Sequence, residues 1–574
     1  MVRVWYHHYD PRVPHSLEYP EECLPIALER NALTLPGLIA TEFFGARLTY
    51  AALWNQILRF ANALSQLGVK PGDKVAIMLP NCPQAIIAYY ATLWIGGIVV
   101  MTNPLYVERE MEFQWSDAEA AFVVVLDHLY PKVEKILPHL RLKNIIVTSI
   151  RDYLPGVLKF LYPLKARQKK LFTAVPYSDR VLSLPRLVKR AAPHPQPFTG
   201  KLDDLAVLQY TGGTTGTPKG VMLSHRNLLA NVVQLQSWVP DLRRGEERFL
   251  AILPFFHVFG MTVAMNLTLY TGCTAIIVPR FEVQEFLKLL RKAKPTLFPG
   301  VPSIFVAMLA DPKVGSYDLS SIRLCITGSA PMPLEVLRRF EQLTGCVIIE
   351  GYGLSEASPV THANPIGGVR KVGSIGIALP DTDCRIVDLD LGVEERPAGE
   401  VGELLVRGPQ VMSGYWQLPQ ETTDTLRDGW LYTGDIARID EDGYVFIVDR
   451  KKDMIISCGY NIYPREIDEV LYEHPKVLDA VAIGVPDLYR GEMVKAYVVL
   501  RPGESATEEE IIQFTKTRLA AYKVPRTVEF RQSLPKSMVG KVFRRELRQE
   551  MLRHTQTPEG DSPAFDQANP PASS

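Results

Sequence analysis

The sequence predicts an α/β protein. A large N-terminal body of α/β layers closes with a small β subdomain and is followed by a smaller α+β C-terminal domain. Three observations carry this. Helix-period and strand-like apolar segments alternate up to about residue 380; short alternating strands with Pro/Gly turns then take over; and a charged run, Asp449-Arg-Lys-Lys-Asp453, precedes a last helix-and-strand region. At 574 residues the chain is also too long for one ordinary core.

Thr49–Leu67 reads as an amphipathic helix, with Leu53, Ile57, Phe60, Ala61 and Leu64 at helical spacing. Lys74–Leu79, Ile98–Met101, Ala121–Leu126 and Asn144–Thr148 read as short buried strands, and Thr274–Val278, Leu297–Phe298 and Leu324–Ile326 continue the series. Strands alternating with helices predict largely parallel sheets. Ala85–Met101 carries no charge, but it is short for a membrane span and is broken by Gly96-Gly97, so it reads as a buried helix feeding a buried strand. Cys384–Val387 and Glu403–Val406 suggest an antiparallel subdomain. Beyond the charged run come a helix at Arg465–Glu473, strands at Ala480–Gly484 and Val494–Leu500, and a second helix. Thr507 and Glu510 give that helix a capping box, with Ile511, Phe514 and Leu519 inward. The expected boundaries are 1–451 for the body, 452–554 for the C-terminal domain and 555–574 for a Pro-rich, disordered tail. No repeat of solenoid length is visible.

Hydrophobic content of 47% and charged content of 22% describe a soluble globular protein. Lys+Arg and Asp+Glu balance at 63 each, so no global field favours nucleic acid. Seven scattered cysteines with no Cys-x-x-Cys pair argue against a disulfide framework or zinc site and fit a reducing cytoplasm. Met1–Asp10 carries charge and histidines where a signal peptide needs an apolar run.

The most informative motif is Tyr210-Thr-Gly-Gly-Thr-Thr-Gly-Thr-Pro-Lys-Gly-Val221. Glycines let backbone N–H groups turn toward an anion, and threonine hydroxyls with the Lys219 ammonium add donors for phosphate oxygens. It is not a Walker loop, because Pro218 precedes the lysine and Gly220 follows it. Four motifs lie downstream: Pro254-Phe-Phe-His257-Val-Phe-Gly260, Gly351-Tyr-Gly-Leu-Ser-Glu356, Tyr432-Thr-Gly-Asp435 with Asp449-Arg450, and Pro535-Lys-Ser-Met-Val-Gly-Lys541. Any one alone is more often an ordinary turn, a loop acid or a surface lysine. Five in this order are not.

On these motifs the chain resembles the acyl-adenylate-forming superfamily, which includes acyl-CoA synthetases, firefly luciferase and peptide-synthetase adenylation domains. It is most similar to bacterial long-chain fatty-acid–CoA ligases, through Met78-Leu-Pro-Asn-Cys-Pro-Gln84, Gly408-Pro-Gln-Val-Met412 and Lys536-Ser-Met-Val-Gly-Lys-Val542. The resemblance implies ATP-dependent conversion of a fatty acid to acyl-AMP, then thioester formation with CoA. Two anions must meet in the first step, so donors and cations have to neutralise the phosphates. By resemblance, Thr211, Gly212, Gly213, Thr214, Thr215, Gly216 and Lys219 would cradle the β- and γ-phosphates, and Glu356 with Thr211 would hold Mg²⁺. Lys541 would reach the carboxylate and the α-phosphate. Gly328, Ser329, Ala330, Pro331, Tyr352 and Gly353 would flank adenine, and Asp435 with Arg450 would serve the ribose.

His257 would gate the path between acyl pocket and thioester channel; no serine or cysteine motif accompanies it to suggest a nucleophile. The acyl pocket would run past Phe256, Phe259, Met261, Gly300 and Val301, with Gly300 leaving room for the tail. Some long-chain relatives carry a tryptophan gate where this chain has Met261, which predicts a flexible methionine-lined entrance. The family also implies a mobile C-terminal domain that turns about Lys452, with Gly459 lining the pantetheine channel. A carrier-protein-loading acyl-AMP ligase and an inactive fatty-acid or nucleotide-binding protein are the alternatives. Further expectations are a cytoplasmic location, peripheral attachment of the basic, apolar stretch Arg151–Leu171 to an anionic membrane, and a homodimer.

Overall fold

The computed structural model describes residues 3–168, 173–211, 218–457, 460–487, 489–537, 540 and 542–556. They form two compact units, a larger one through Val448 and a smaller one made of Asp449–Ser537 with the helix Arg544–Gln556.

In the larger unit, six parallel strands form the body of one sheet. Their spatial order is Leu205–Thr211, Ile98–Met101, Lys74–Met78, Ala120–Leu126, Asn144–Thr148 and Val181–Ser183. Parallel strands covered on both faces must be apolar throughout, and Val75–Met78 and Phe122–Val125 are fully buried. Lys219–Ser224 pairs antiparallel with Leu205–Thr211, and the short strand Gly414–Tyr415 closes that edge. A second sheet has a parallel core ordered Val347–Gly353, Leu324–Thr327, Leu297–Gly300, Arg248–Ala251, Thr274–Ile277 and Ile39–Phe43. Val360–Ala363, Ile377–Ala378 and Ala46–Thr49 extend its edges antiparallel.

Helices pack against these sheets. Tyr50–Gln66 starts where the Thr49 hydroxyl accepts from the Ala52 N–H at 3.2 Å, and it buries the five apolar residues its spacing predicts. In Pro83–Trp94 every residue is buried, and burying side chains such as Ile86, Ile87 and Leu93 contributes roughly 1.5–3 kcal/mol each. The uncharged stretch is therefore core, as expected. Among the described residues no helix is long and apolar enough to cross a membrane.

The antiparallel subdomain contains Asp383–Val387, Gly402–Arg407, Trp430–Ile439 and Leu426–Arg427 in that order. In the smaller unit the order is Tyr460–Ile462, Ile455–Ser457, Gly491–Leu500 and Val477–Asp487, with Thr527–Phe530 parallel to Gly491–Leu500. Alternation along Val477–Asp487 puts Ala480 and Ala482 in one apolar cluster and Val481, Ile483 and Val485 in another, so both faces are packed. The expected capping box at Thr507 forms by half. Thr507 accepts from the Glu510 N–H at 3.2 Å, while the Glu510 carboxylate turns to Lys476 at 2.7 Å. Leu519 lies beyond that helix, which ends at Lys516.

Candidate active site

The ends of the Thr/Gly motif lie on an antiparallel pair. Thr211 ends one strand, Lys219 begins the next, and the two are register partners. Gly212, Gly213, Thr214, Thr215 and Gly216 lie outside the described residues, as do Lys541 and Gly459. The Lys219 ammonium is ion-paired with Glu421 and lies 5.2 Å over the Tyr415 ring. The Tyr415 hydroxyl donates to Glu356 Oε1 at 2.8 Å. Burial first, and the Glu356 carboxylate second, hold that phenol protonated well beyond the ordinary tyrosine range.

Backbone pairing brings these groups together. Glu356 sits on the turn Ser355–Ala357, after the strand Val347–Gly353 of the second sheet. Its C=O accepts from the Met412 N–H at 2.8 Å, and the Trp416 N–H donates to the Gly220 C=O at 2.7 Å. Residues 412–416 thus join the Glu356 turn of one sheet to the Lys219 strand of the other. Beside them the Tyr210 hydroxyl donates to Asp117 at 2.5 Å.

A second cluster forms where Leu324–Thr327 and Val347–Gly353 run parallel and end together, with Thr327 opposite Glu350. Gly328 and Ser329 follow the first strand, and Ser329 has a positive φ of 71°. The Met332 N–H, just past Ala330 and Pro331, donates to Glu350 at 3.3 Å. The Tyr352 hydroxyl donates to the buried Asp435 carboxylate at 2.5 Å. The chain here leaves no room for a side chain at Gly353, where a Cβ would lie 2.1 Å from the Pro359 carbonyl oxygen, and it is tight at Gly328, where one would lie 3.0 Å from that of Gly351. His362, 6.1 Å from Tyr352 between ring centres, is fully buried, and burial pushes its imidazole down to about 3.

The His257 segment is pinned from beneath. Asn81 donates to the carbonyls of Ala251 and Leu253 at 2.9 and 2.8 Å and accepts from the Phe255 N–H at 2.8 Å. Gln209 donates to the Phe256 carbonyl at 3.0 Å. The Phe259 N–H donates to His257 Nδ1 at 3.3 Å, which leaves the ring proton of a neutral His257 on Nε2. Phe259 and Val301 are buried.

Met261 lies in the π-helical turn Gly260–Asn266 and is fully buried. At Gly300 a Cβ would come 3.0 Å from the rings of Phe298 and Phe305, so these two aromatic side chains lie directly against this glycine.

In the smaller unit, Arg450 follows Asp449, whose buried carboxylate accepts from the N–H groups of Arg450 and Arg465, both at 2.7 Å. The Lys452 carbonyl accepts from Arg548 at 3.4 Å. Tyr415, Glu421, Gln209 and Asp117 were not singled out from the sequence, and Asn81 entered it only within the Met78–Gln84 segment. Their partners lie dozens to hundreds of residues away, and no local spacing marks them.

Residues 28–416 match the AMP-binding enzyme family, and residues 466–541 match the AMP-binding enzyme C-terminal domain. The chain belongs to the AMP-binding enzyme family. The first match takes in Thr211, Lys219, Gly328–Pro331, Tyr352, Glu356 and Tyr415, and the second reaches Lys541. This AMP-binding enzyme is 48% identical over 549 residues to a long-chain-fatty-acid–CoA ligase of Bacillus subtilis, covering 95% of this chain and 98% of that one. It is 38% identical over 563 residues to the protein of the same name from Escherichia coli O6:H1, covering 96% and 98%. Among solved structures, ATP-bound MatB from Rhodopseudomonas palustris superposes with a TM-score of 0.81 at 31% identity, covering 92% of this chain and 99% of that one.

Proposed function

We propose that this AMP-binding enzyme is an AMP-forming long-chain fatty-acid–CoA ligase. A carboxylate oxygen of the fatty acid attacks the α-phosphorus of ATP and the bond to pyrophosphate breaks. The CoA sulfur then attacks the acyl carbonyl of acyl-AMP, the bond to AMP breaks, and the thiol proton leaves to solvent. One observation carries the reading: Lys219 and Glu356 meet through Tyr415 at converging strand ends, in a chain with the Tyr352–Asp435 pair. Lys219, now facing Glu421, would turn to the β- and γ-phosphates. Tyr352 would stack on adenine, and Asp435 would accept from the ribose hydroxyls. His257, whose Nδ1 accepts from the Phe259 N–H, would stand between the acyl and thioester paths.

Mg²⁺ keeps waters and takes one carboxylate plus phosphate oxygens; Glu356 and the Thr211 hydroxyl offer the hard oxygen donors it prefers. Bound there, Mg²⁺ would supply positive charge to the phosphates. Lys541 would act in the first step, carried by a domain 452–554 that turns about Lys452 to bring Gly459 to the pantetheine path. Each buried methylene of a fatty acid contributes about 0.8 kcal/mol, so a long tail supplies much of the binding.

The test is AMP release with ATP, Mg²⁺ and CoA across fatty acids from short to long, with Lys541→Ala alongside. We expect a maximum among long-chain acids that collapses in the variant. A maximum among short or aromatic acids overturns the substrate assignment. Acyl-AMP made without acyl-CoA overturns the CoA step.

A further inference from the structure

We propose that the helix Gly156–Gln168 is an in-plane anchor that docks this protein on an anionic lipid bilayer. Val157, Phe160 and Leu164 are 75%, 78% and 66% exposed, and Leu161 is 47% exposed. At roughly 100° per residue these four fall within about 100° of the helix circumference, the i, i+3, i+4, i+7 stripe of an amphipathic helix. Here the stripe points outward. Positions 165 and 167, a lysine and an arginine, fall on its two borders, while Lys159 lies on the opposite side and donates to the Asp152 carbonyl at 3.3 Å. Over Arg151–Leu171 the sequence holds six Lys or Arg and one Asp, a net charge of +5 in a chain whose total is zero.

The helix is held so that the stripe stays on the outside. Pro163 lacks an N–H, so the Lys159 carbonyl has no donor four residues on, and Arg151 Nε donates to it instead at 3.0 Å. Arg151 lies in the turn Ile150–Tyr153, which is capped at both partners by Ser149 and Asp152. The Tyr153 hydroxyl bonds Gln56 on the helix Tyr50–Gln66. Solvent-exposed apolar side chains contiguous over two turns call for a partner. A stripe of exposed apolar side chains within a strongly basic stretch suits a deformable anionic surface: the apolar groups enter the acyl boundary and the basic stretch meets lipid phosphates. The docking does not depend on the ligase reading.

Co-sedimentation tests it, with vesicles of phosphatidylcholine alone and of an equimolar phosphatidylcholine–phosphatidylglycerol mixture. Wild type is expected in the pellet with the anionic vesicles, less so as salt rises, and in the supernatant with the neutral ones. Phe160→Asp with Leu164→Asp should weaken binding by roughly tenfold or more. Lys165→Glu with Arg167→Glu should weaken it by several-fold per charge. An unchanged melting temperature confirms that each variant is folded; if the apolar pair fails to fold, the charge pair decides. Wild type staying in the supernatant, equal binding to both vesicles, or unchanged binding by the folded variants overturns the proposal. So does a concentration-dependent dimer lost in the apolar variant without vesicle binding, which reassigns the stripe to a second copy of this chain.

Discussion

At the Lys219 corner of the larger unit, side chains neutralise one another: Lys219 pairs with Glu421, and Glu356 is held by Tyr415. At the Tyr352 corner the backbone does most of the shaping. Gly353 lies against a carbonyl oxygen with no room for a side chain, Gly328 packs closely against another, and a short hydrogen bond ties Tyr352 to a buried carboxylate. The contrast follows the groups each corner is proposed to meet. Phosphate brings charge, so the protein holds exchangeable counter-charges ready for it; adenine brings a flat neutral ring, which needs a rigid slot that is already in place.

The sharpest way to break this comparison is Lys219→Ala. If Lys219 serves phosphate, AMP release falls on the order of 10²–10³-fold. A fall of less than tenfold in kcat/KM would reduce the lysine to the partner of Glu421. Next comes Tyr352→Phe, which leaves the buried Asp435 without this donor. A hydrogen bond to a charged group contributes about 1.5–3 kcal/mol, so KM for ATP should rise roughly tenfold or more. An unchanged KM would remove the tyrosine hydroxyl from the rigid slot.

A third prediction concerns pH. Burial holds His362 at about 3 in the fold, against an ordinary value of 6.5. The imidazole is neutral when folded and takes up a proton only on unfolding. Its share of stability is complete above pH 6.5 and declines as pH falls toward 3, by about 1.4 kcal/mol per pH unit. His225, pushed down to about 4 by burial, acts in the same direction. Urea melts of His362→Gln between pH 7 and pH 5 should show a slope shallower by about one proton; an identical slope would mean that His362 is not the buried titrating group. The smallest effect is expected for Glu421→Gln. Partly exposed ion pairs contribute about 0–1 kcal/mol, so ATP should bind equally well or up to roughly fivefold tighter, by equilibrium dialysis. Weaker binding would make Glu421 a part of the phosphate site rather than a stand-in for its anion.

Much of this architecture was legible along the chain. Lys74–Met78, Ala120–Leu126 and Asn144–Thr148 lie within a residue or two of their expected positions, because parallel strands buried on both faces must be continuous apolar runs. The Thr/Gly motif, the Gly351–Glu356 turn and the Asp435 segment were legible because chemistry demands those residue types in short stretches. Tyr415 was not, since its place opposite Val221 depends on a strand pairing that spans the middle of the chain. The burial of Met261 was not legible either, because a methionine in sequence looks the same whether it lines an entrance or fills a core.

Taken alone, the sequence determined the fold class, the order of the motifs and the identity of the residues proposed to carry charge toward a phosphate. Those are properties of short segments, set by periodicity, glycine placement and donor chemistry. Tertiary structure alone decided that Ile39–Phe43 pairs with Thr274–Ile277, that Lys219 faces Glu421, that Phe298 and Phe305 lie against Gly300, and that the stripe of Gly156–Gln168 points outward. Each of these depends on which distant surfaces pack together. Packing is a property of the whole core, and no window of the sequence contains it.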